Sequence, residues 1–226
     1  MIRLVFSPKW FFGVDILFEI FFVFIALLIS FYGYRIFRIS KNREHKYFSL
    51  AFFLIAISFI FKILTNFDIY YNVFKTLRVG SATVTFSYLY NSGILHITGL
   101  FLFKLFMTAA FFILFLLTDR KHSKKDMYLI LYLILISTFF SISTYYVFHV
   151  TLAIILFFIS KHFFENYEKS PKTNRLMVFL SFSMLFLSQF AFMMVFVAAE
   201  FYVIGEIVML VGYSILLYNL LAVARK

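Results

Sequence analysis

The chain has no cysteine among its 226 residues and only two prolines, Pro8 and Pro171. Without cysteine there is no disulfide, no thiolate nucleophile and no cysteine-bound metal. Both prolines lie outside the long apolar runs, so the sequence shows no sign of the broken helices that many transporters use to build their binding sites. Acidic residues are also scarce, with 10 Asp and Glu against 21 Lys and Arg. The chain is therefore basic and free of thiol chemistry.

Hydrophobic residues make up 64% of the chain and are gathered into seven runs separated by charged clusters. Such a composition leaves too little polar surface to cover a water-soluble globule. Each run has roughly 18–24 residues, the length that a helix needs to cross the hydrocarbon core of a bilayer. We predict an all-α membrane protein, a single seven-helix transmembrane bundle over residues 1–226, with spans near 11–33, 47–66, 93–117, 127–146, 147–164, 176–198 and 201–223.

Two connections leave alternatives open. Only residues 143–146 separate the fourth run from the fifth, and a different division of 127–164 would give six spans and move the C-terminus to the other side. Residues 67–92 form one long connection, with a turn signal at Gly80 and alternating polar and apolar residues over 83–88. That pattern indicates either a short strand or hairpin or an irregular loop on the lipid interface.

Small residues recur at helix-packing spacing in two of the runs. Ser137 and Ser141 are four apart in the fourth run, and Gly205 and Gly212 are seven apart in the last. Small side chains let two helix backbones approach closely inside a membrane. We therefore interpret these positions as helix-packing contacts and not as parts of a binding site.

The basic residues are distributed in a way that sets the orientation. Fifteen of the 21 lie on one side of a seven-span chain, in alternate connections and in the C-terminal tail: Arg35, Arg38, Lys41, Arg43, Lys46, Arg120, Lys121, Lys124, Lys125, Lys161, Lys169, Lys172, Arg175, Arg225 and Lys226. The opposite side carries only Arg3, Lys9, Lys75 and Arg78. This asymmetry predicts an external N-terminus and a cytoplasmic C-terminus in the cell (cytoplasmic or plasma) membrane. We expect the lipid bilayer as the partner of these residues, and no nucleic acid.

Ionisable groups inside the apolar runs are costly, and each needs a reason to be there. Asp15 and Glu19 are one turn apart on one face of the first helix. By position along the spans, the candidate ligand- or ion-binding residues all fall in the outer half of the bilayer: Asp15, Glu19, Lys62, His96, Lys104, Gln189 and Glu206. Glu19 and Lys104 match in depth and have opposite charge, so we expect them to pair. Lys62 matches Asp15 or Glu206 in the same way.

This shared depth predicts an outward-facing polar site that binds a small polar ligand or ion, in a transporter or in a receptor-like sensor that acts through a membrane-protein partner. The first alternative is structural, with ion pairs that only fix the register of the helices. The second is a membrane-embedded hydrolase or transferase using Asp15, Glu19, His96 and Glu206 as metal ligands or as an acid–base pair. The third is a structural subunit of a membrane complex. We favour ligand binding over catalysis, and the sequence identifies no cofactor.

One prediction follows from the residues alone. Glu19→Gln is expected to abolish ligand binding or coupling while expression stays normal, because glutamine keeps the size of the side chain and removes its charge. Expression level and ligand-dependent transport are the measurements that check it. Binding or transport that survives the substitution would place the site elsewhere in the chain.

Overall fold

The computed structural model describes the backbone of residues 7–11, 13–78, 86–118, 124–141 and 144–224. Side chains are described over the same ranges except at 9, 68–78, 86–95, 124–127, 129–130, 133 and 224. The described backbone holds seven α-helices and no strand: α1 (Val14–Ser40), α2 (Arg43–Arg78), α3 (Phe86–Thr118), α4 (Lys124–Phe140), α5 (Tyr145–Lys169), α6 (Thr173–Met193) and α7 (Glu200–Ala224). Short 3-10 turns precede α1 at Lys9–Phe11 and follow α6 at Met194–Phe196.

Within the described part of the chain, six stretches of helix are long and apolar enough to cross a membrane: Val14–Ser40, Arg43–Phe67, His96–Thr118, Tyr145–Lys169, Thr173–Phe196 and Glu200–Val223. Large apolar side chains such as Phe24, Phe31 and Phe157 are exposed on the outer surface of the bundle, where a bilayer covers them at no cost. The protein is therefore a helical multi-pass membrane protein.

The six long helices form a closed ring in the order α1, α2, α3, α5, α6, α7 and back to α1, and α4 lies outside it against α3 and α5. α1 and α7 run in the same direction. Phe22 of α1 contacts Tyr213 of α7 with 5.6 Å between ring centroids, and Phe11, eleven residues earlier, contacts Tyr202 with 6.4 Å. The side chains that fill this ring are the core of the protein.

α4 carries the chain back along the bundle between two parallel helices. Phe103 of α3 contacts Phe148 of α5, and Phe115 contacts Phe158 further along both helices, with 5.5 and 6.1 Å between ring centroids. α3 and α5 therefore run in the same direction, and the chain must return between them. α4 has 17 residues, or about 25 Å of helix, somewhat less than the ~30 Å hydrocarbon core. We call the end at which α1, α3, α5 and α7 begin the amino-terminal end.

The connection expected at 67–92 is largely helical, which corrects the loop and strand predictions. α2 continues to Arg78 and α3 begins at Phe86, so Phe86 to Tyr88 are helical and not extended. Residues 79–85, with their turn signal, lie outside the described residues. The physical reason is that no glycine or proline occurs within α2 to end it, and an α-helix continues where nothing interrupts it.

The two glycines of α7 lie in close contact with α6, as their spacing indicated. A Cβ atom on Gly205 would lie 2.8 Å from Cε1 of the Phe192 ring. A Cβ atom on Gly212 would lie 3.1 Å from the carbonyl oxygen of Ser181 and 3.1 Å from Cδ2 of Leu185. Because a backbone carbonyl cannot turn aside as a side chain can, larger residues at Gly212 would push the two helices apart.

Gly212→Leu is therefore expected to lower the free energy of unfolding by roughly 2 kcal/mol, the usual cost of forcing extra methylene groups into a packed interface. Val211→Leu is the matched control, because Val211 is the neighbouring residue and faces outward; a surface change of this kind costs about 0.5 kcal/mol or less. Thermal unfolding of both purified variants in detergent is the measurement. Equal unfolding temperatures would contradict the close approach of α6 and α7.

Candidate functional site

Three helices of the ring turn ionisable side chains toward its interior near the amino-terminal end. The buried residues of α1 recur every three or four positions, and Glu19 and Phe22 both belong to that buried face. In α7, Glu206 and Tyr213 are buried at the same kind of spacing. Lys62 of α2 lies between these two faces. Helical periodicity alone therefore carries two carboxylates and one ammonium into the ring.

The Lys62 ammonium is shared between the two carboxylates. Its Nζ atom lies 3.0 Å from Oε1 of Glu19 and 2.7 Å from Oε1 of Glu206. Asn66, one turn further along α2, donates from Nδ2 to the same Oε1 of Glu19 at 2.7 Å. Glu19 and Glu206 are fully buried, whereas 13% of the Lys62 side chain is exposed. One lysine thus links α2 to both α1 and α7.

The charges of this group do not balance. When all three side chains are ionised, Glu19, Lys62 and Glu206 carry two negative charges and one positive charge. The second oxygen of each carboxylate, Oε2, is buried and accepts no hydrogen bond from any residue that the structure describes. A buried charge without full compensation is strongly unfavourable. The group can therefore accommodate one more positive charge, as a proton or as a bound cation.

Aromatic rings surround the shared ammonium. The Lys62 Nζ atom lies 5.5 Å from the centroid of the Tyr202 ring and 5.8 Å from that of Phe103, within the range of cation–π attraction. Deeper in the ring, the hydroxyl of Tyr213 is buried and has no hydrogen-bond partner among the described residues. The site thus combines carboxylate acceptors with aromatic faces.

Lys104 does not pair with Glu19, contrary to the expectation from depth. Its buried Nζ atom donates to the carbonyl oxygen of Ser141, just beyond the end of α4, and lies 5.8 Å from the Phe148 ring. The prediction from depth was wrong because α3 and α1 are not neighbours in the ring. Glu19 pairs with Lys62 of α2 instead. The expected pairing of Lys62 with Glu206 is present.

The same contact explains why α4 ends earlier than predicted. α4 ends at Phe140, whereas the fourth span was expected to reach residue 146. The last carbonyls of a helix have no partners within the helix, and they carry partial negative charge. The Lys104 ammonium of α3 donates a hydrogen bond to the carbonyl oxygen of Ser141. This contact stabilises the end of α4 at that point. α4 and α5 (starting at Tyr145) are accordingly separate helices.

A second polar pair lies on the opposite side of the ring. Nδ1 of His149 on α5 is 2.9 Å from Oε1 of Gln189 on α6. Nε2 of Gln189 donates in turn to Ser188 Oγ at 3.1 Å. The His149 ring stacks on Phe192 with 5.1 Å between centroids, and Phe192 also contacts Tyr202. Aromatic contacts therefore connect this pair to the group around Lys62.

Asp15 and His96, the two remaining candidates, do not contact the Lys62 ammonium directly. Oδ1 of Asp15 accepts hydrogen bonds from the backbone N–H groups of Gly13 and Ile16 at 3.0 and 2.9 Å. It therefore satisfies free amides at the start of α1, where the helix dipole favours a negative charge. His96 is buried near the beginning of the apolar part of α3.

The site also contains residues that the sequence analysis missed. Asn66 is four residues after Lys62, and Tyr202 is four residues before Glu206. Residues four apart lie on one face of a helix, so this spacing could have identified both. No comparable sequence signal indicates Phe103, which reaches the site because α3 packs beside α2.

The arrangement gives no support to a metal-dependent enzyme. Across the described residues, no three histidine or acidic side chains are grouped closely enough to hold a metal ion. Comparisons with known proteins add no relative: no protein-family model, no curated protein and no solved structure matches the chain.

Lys62→Met is expected to lower the free energy of unfolding by roughly 3–5 kcal/mol, because it leaves two buried carboxylates without a counter-charge. The control is Lys161→Met. Lys161 pairs with Glu165 at 4.0 Å on the surface, with 59% and 48% of the two side chains exposed, and such pairs contribute about 0.5 kcal/mol or less. Thermal or denaturant unfolding in detergent measures both losses.

The carboxylates themselves provide a further check on the same experiment. Adding Glu19→Gln and Glu206→Gln to Lys62→Met removes the unpaired charges, so most of the lost stability should return. If Lys62→Met proved no more harmful than Lys161→Met, the three side chains would not form a coupled charged group.

Proposed function

We propose that the protein binds a small cation, or a small polar ligand that carries a cationic group, inside the ring of helices and transports it across the cell membrane. One observation carries this proposal: Glu19 and Glu206 share a single ammonium and each keeps a buried oxygen that accepts no hydrogen bond from the described residues. Titratable residues inside a membrane commonly mark ion and substrate pathways.

The proposed topology has seven crossings, with α4 as the shortest. A short apolar helix can be accommodated by local thinning of the bilayer. The clustering of basic residues in alternate connections supports an external N-terminus. With that orientation, the amino-terminal end of the bundle, near which Glu19 and Glu206 lie, faces outward.

A transporter accounts for the chain better than the other classes do. No connection is long enough for a soluble catalytic or signalling domain, so a sensor would need a partner to produce its output. A transporter needs only a site within the membrane and a ring of helices that can open on either side of it. The buried charges of Glu19 and Glu206 supply the first requirement.

The test is uptake into liposomes that contain the purified protein. A pH-sensitive dye reports protons, and labelled sodium, rubidium and ethanolammonium ions report other cations. Glu206→Gln is expected to reduce uptake of the transported cation by about tenfold or more, because a hydrogen bond to a charged group is worth roughly 1.5–3 kcal/mol. Glutamine keeps the shape of the side chain and can still accept a hydrogen bond from Lys62.

Glu200→Gln is the matched control. Glu200 is exposed at the start of α7, on the same helix as Glu206, and its neutralisation should leave uptake unchanged. Binding that depends on Glu206 without any uptake would indicate a sensor that acts through a partner. If neither binding nor uptake of any of these cations depended on Glu19 or Glu206, the proposal would be wrong and the ion pairs would be structural.

A further inference from the structure

The Lys62 ammonium occupies surroundings that would suit a free organic ammonium ion. Two carboxylate oxygens, from Glu19 and Glu206, lie 3.0 and 2.7 Å from Nζ. Two aromatic rings, Tyr202 and Phe103, lie 5.5 and 5.8 Å from it. Carboxylates accept the N–H donors of an ammonium group, and aromatic faces attract its charge. The surroundings of Lys62 therefore show that the site accommodates an ammonium group.

Lys62 is also the one member of the group that can leave. Glu19 and Glu206 are fully buried, but 13% of the Lys62 side chain is exposed. A lysine side chain is a flexible stem with an ammonium at its tip, which can swing toward water while the helix stays in place. Its departure would leave two buried carboxylates, and each already has one oxygen that accepts no hydrogen bond within the described part of the chain.

We infer that the ligand of this protein is an organic ammonium ion that displaces Lys62 from between Glu19 and Glu206. The ligand keeps at least two N–H donors, one for each carboxylate, and its carbon atoms contact Phe103 and Tyr202. This inference rests on the proposed function, and it names the class of cation. Hard metal cations are disfavoured because they take six or more oxygen ligands, whereas much of this ammonium's surroundings is aromatic carbon.

The deciding experiment tests whether a small molecule can restore the stability of Lys62→Ala. The molecule is n-propylammonium, which corresponds to the part of the lysine side chain that the substitution removes. n-Propylammonium supplies three carbon atoms and the ammonium, which match Cγ, Cδ, Cε and Nζ of the lysine, so it should enter the vacated space. We expect it to raise the unfolding temperature of the detergent-solubilised variant by about 4 °C at ten times its dissociation constant. Propan-1-ol has the same chain without the charge, tetramethylammonium has the charge without N–H donors, and sodium is the inorganic control. All three should leave it unchanged.

Dependence on the carboxylates ties the rescue to this site. Adding Glu206→Gln to Lys62→Ala should abolish the effect of n-propylammonium, whereas adding Glu200→Gln should not change it. Lys62→Gln, which keeps a hydrogen-bonding side chain of similar length, is the second variant if Lys62→Ala gives no folded protein. If that also fails, n-propylammonium should stabilise the wild-type protein, and Glu206→Gln should remove this stabilisation.

Each of the remaining outcomes would contradict a different part of the inference. Stabilisation by sodium equal to that by n-propylammonium would overturn the organic-ammonium assignment and leave the cation-binding function in place. Stabilisation by tetramethylammonium equal to that by n-propylammonium would overturn the requirement for N–H donors. An absence of any effect that depends on Glu206, in the variants and in the wild type, would overturn the organic-ammonium assignment, whereas the proposed function would be overturned only if uptake into liposomes also did not depend on Glu19 or Glu206.

Discussion

The structure depends on one lysine that neutralises two glutamates in the interior of a ring of apolar helices. Lys62 connects α2 to α1 through Glu19 and to α7 through Glu206. α2 and α7 are not neighbours in the ring, so the contact with Glu206 spans its interior. Removing charges from water has a large desolvation free energy, which is offset only when every charge has a partner at close range. This group meets that condition only in part, since one negative charge remains in excess when all three side chains are ionised.

That excess distinguishes the group from a simple ion pair. A lysine paired with one glutamate would be neutral. With a second glutamate, the site retains acceptor oxygens that no described residue uses. The aromatic rings of Tyr202 and Phe103 also lie within cation–π range of the ammonium, so it is held between carboxylate oxygens and aromatic faces.

The second buried lysine illustrates a different solution to the same physical problem. Lys104 has no carboxylate partner among the residues that the structure describes and instead donates to a backbone carbonyl at the end of α4. The partial negative charge at a helix C-terminus substitutes for a counter-ion. One lysine therefore holds a helix end in place and the other takes part in a charged cluster, although both occupy similar depths in neighbouring helices.

Particular residues show how far sequence reasoning reaches in this protein. The hydrophobic runs located all seven helices, because the need to satisfy backbone hydrogen bonds in a bilayer makes a long apolar segment helical. The ends were less accurate: α2 runs past its apolar part to Arg78, since no breaker stops it. Depth along the spans brought Lys62 and Glu206 together correctly and paired Lys104 with Glu19 wrongly.

The sequence by itself determined that the chain is a bundle of membrane-length helices and which titratable residues lie near one end of it. Only the tertiary structure decided which of those residues meet. The reason is that position along a helix specifies height in the bundle, whereas contact also requires knowing which helices are neighbours. That order, with α7 closing the ring onto α1 and α4 left outside, arises from packing between segments far apart in the chain.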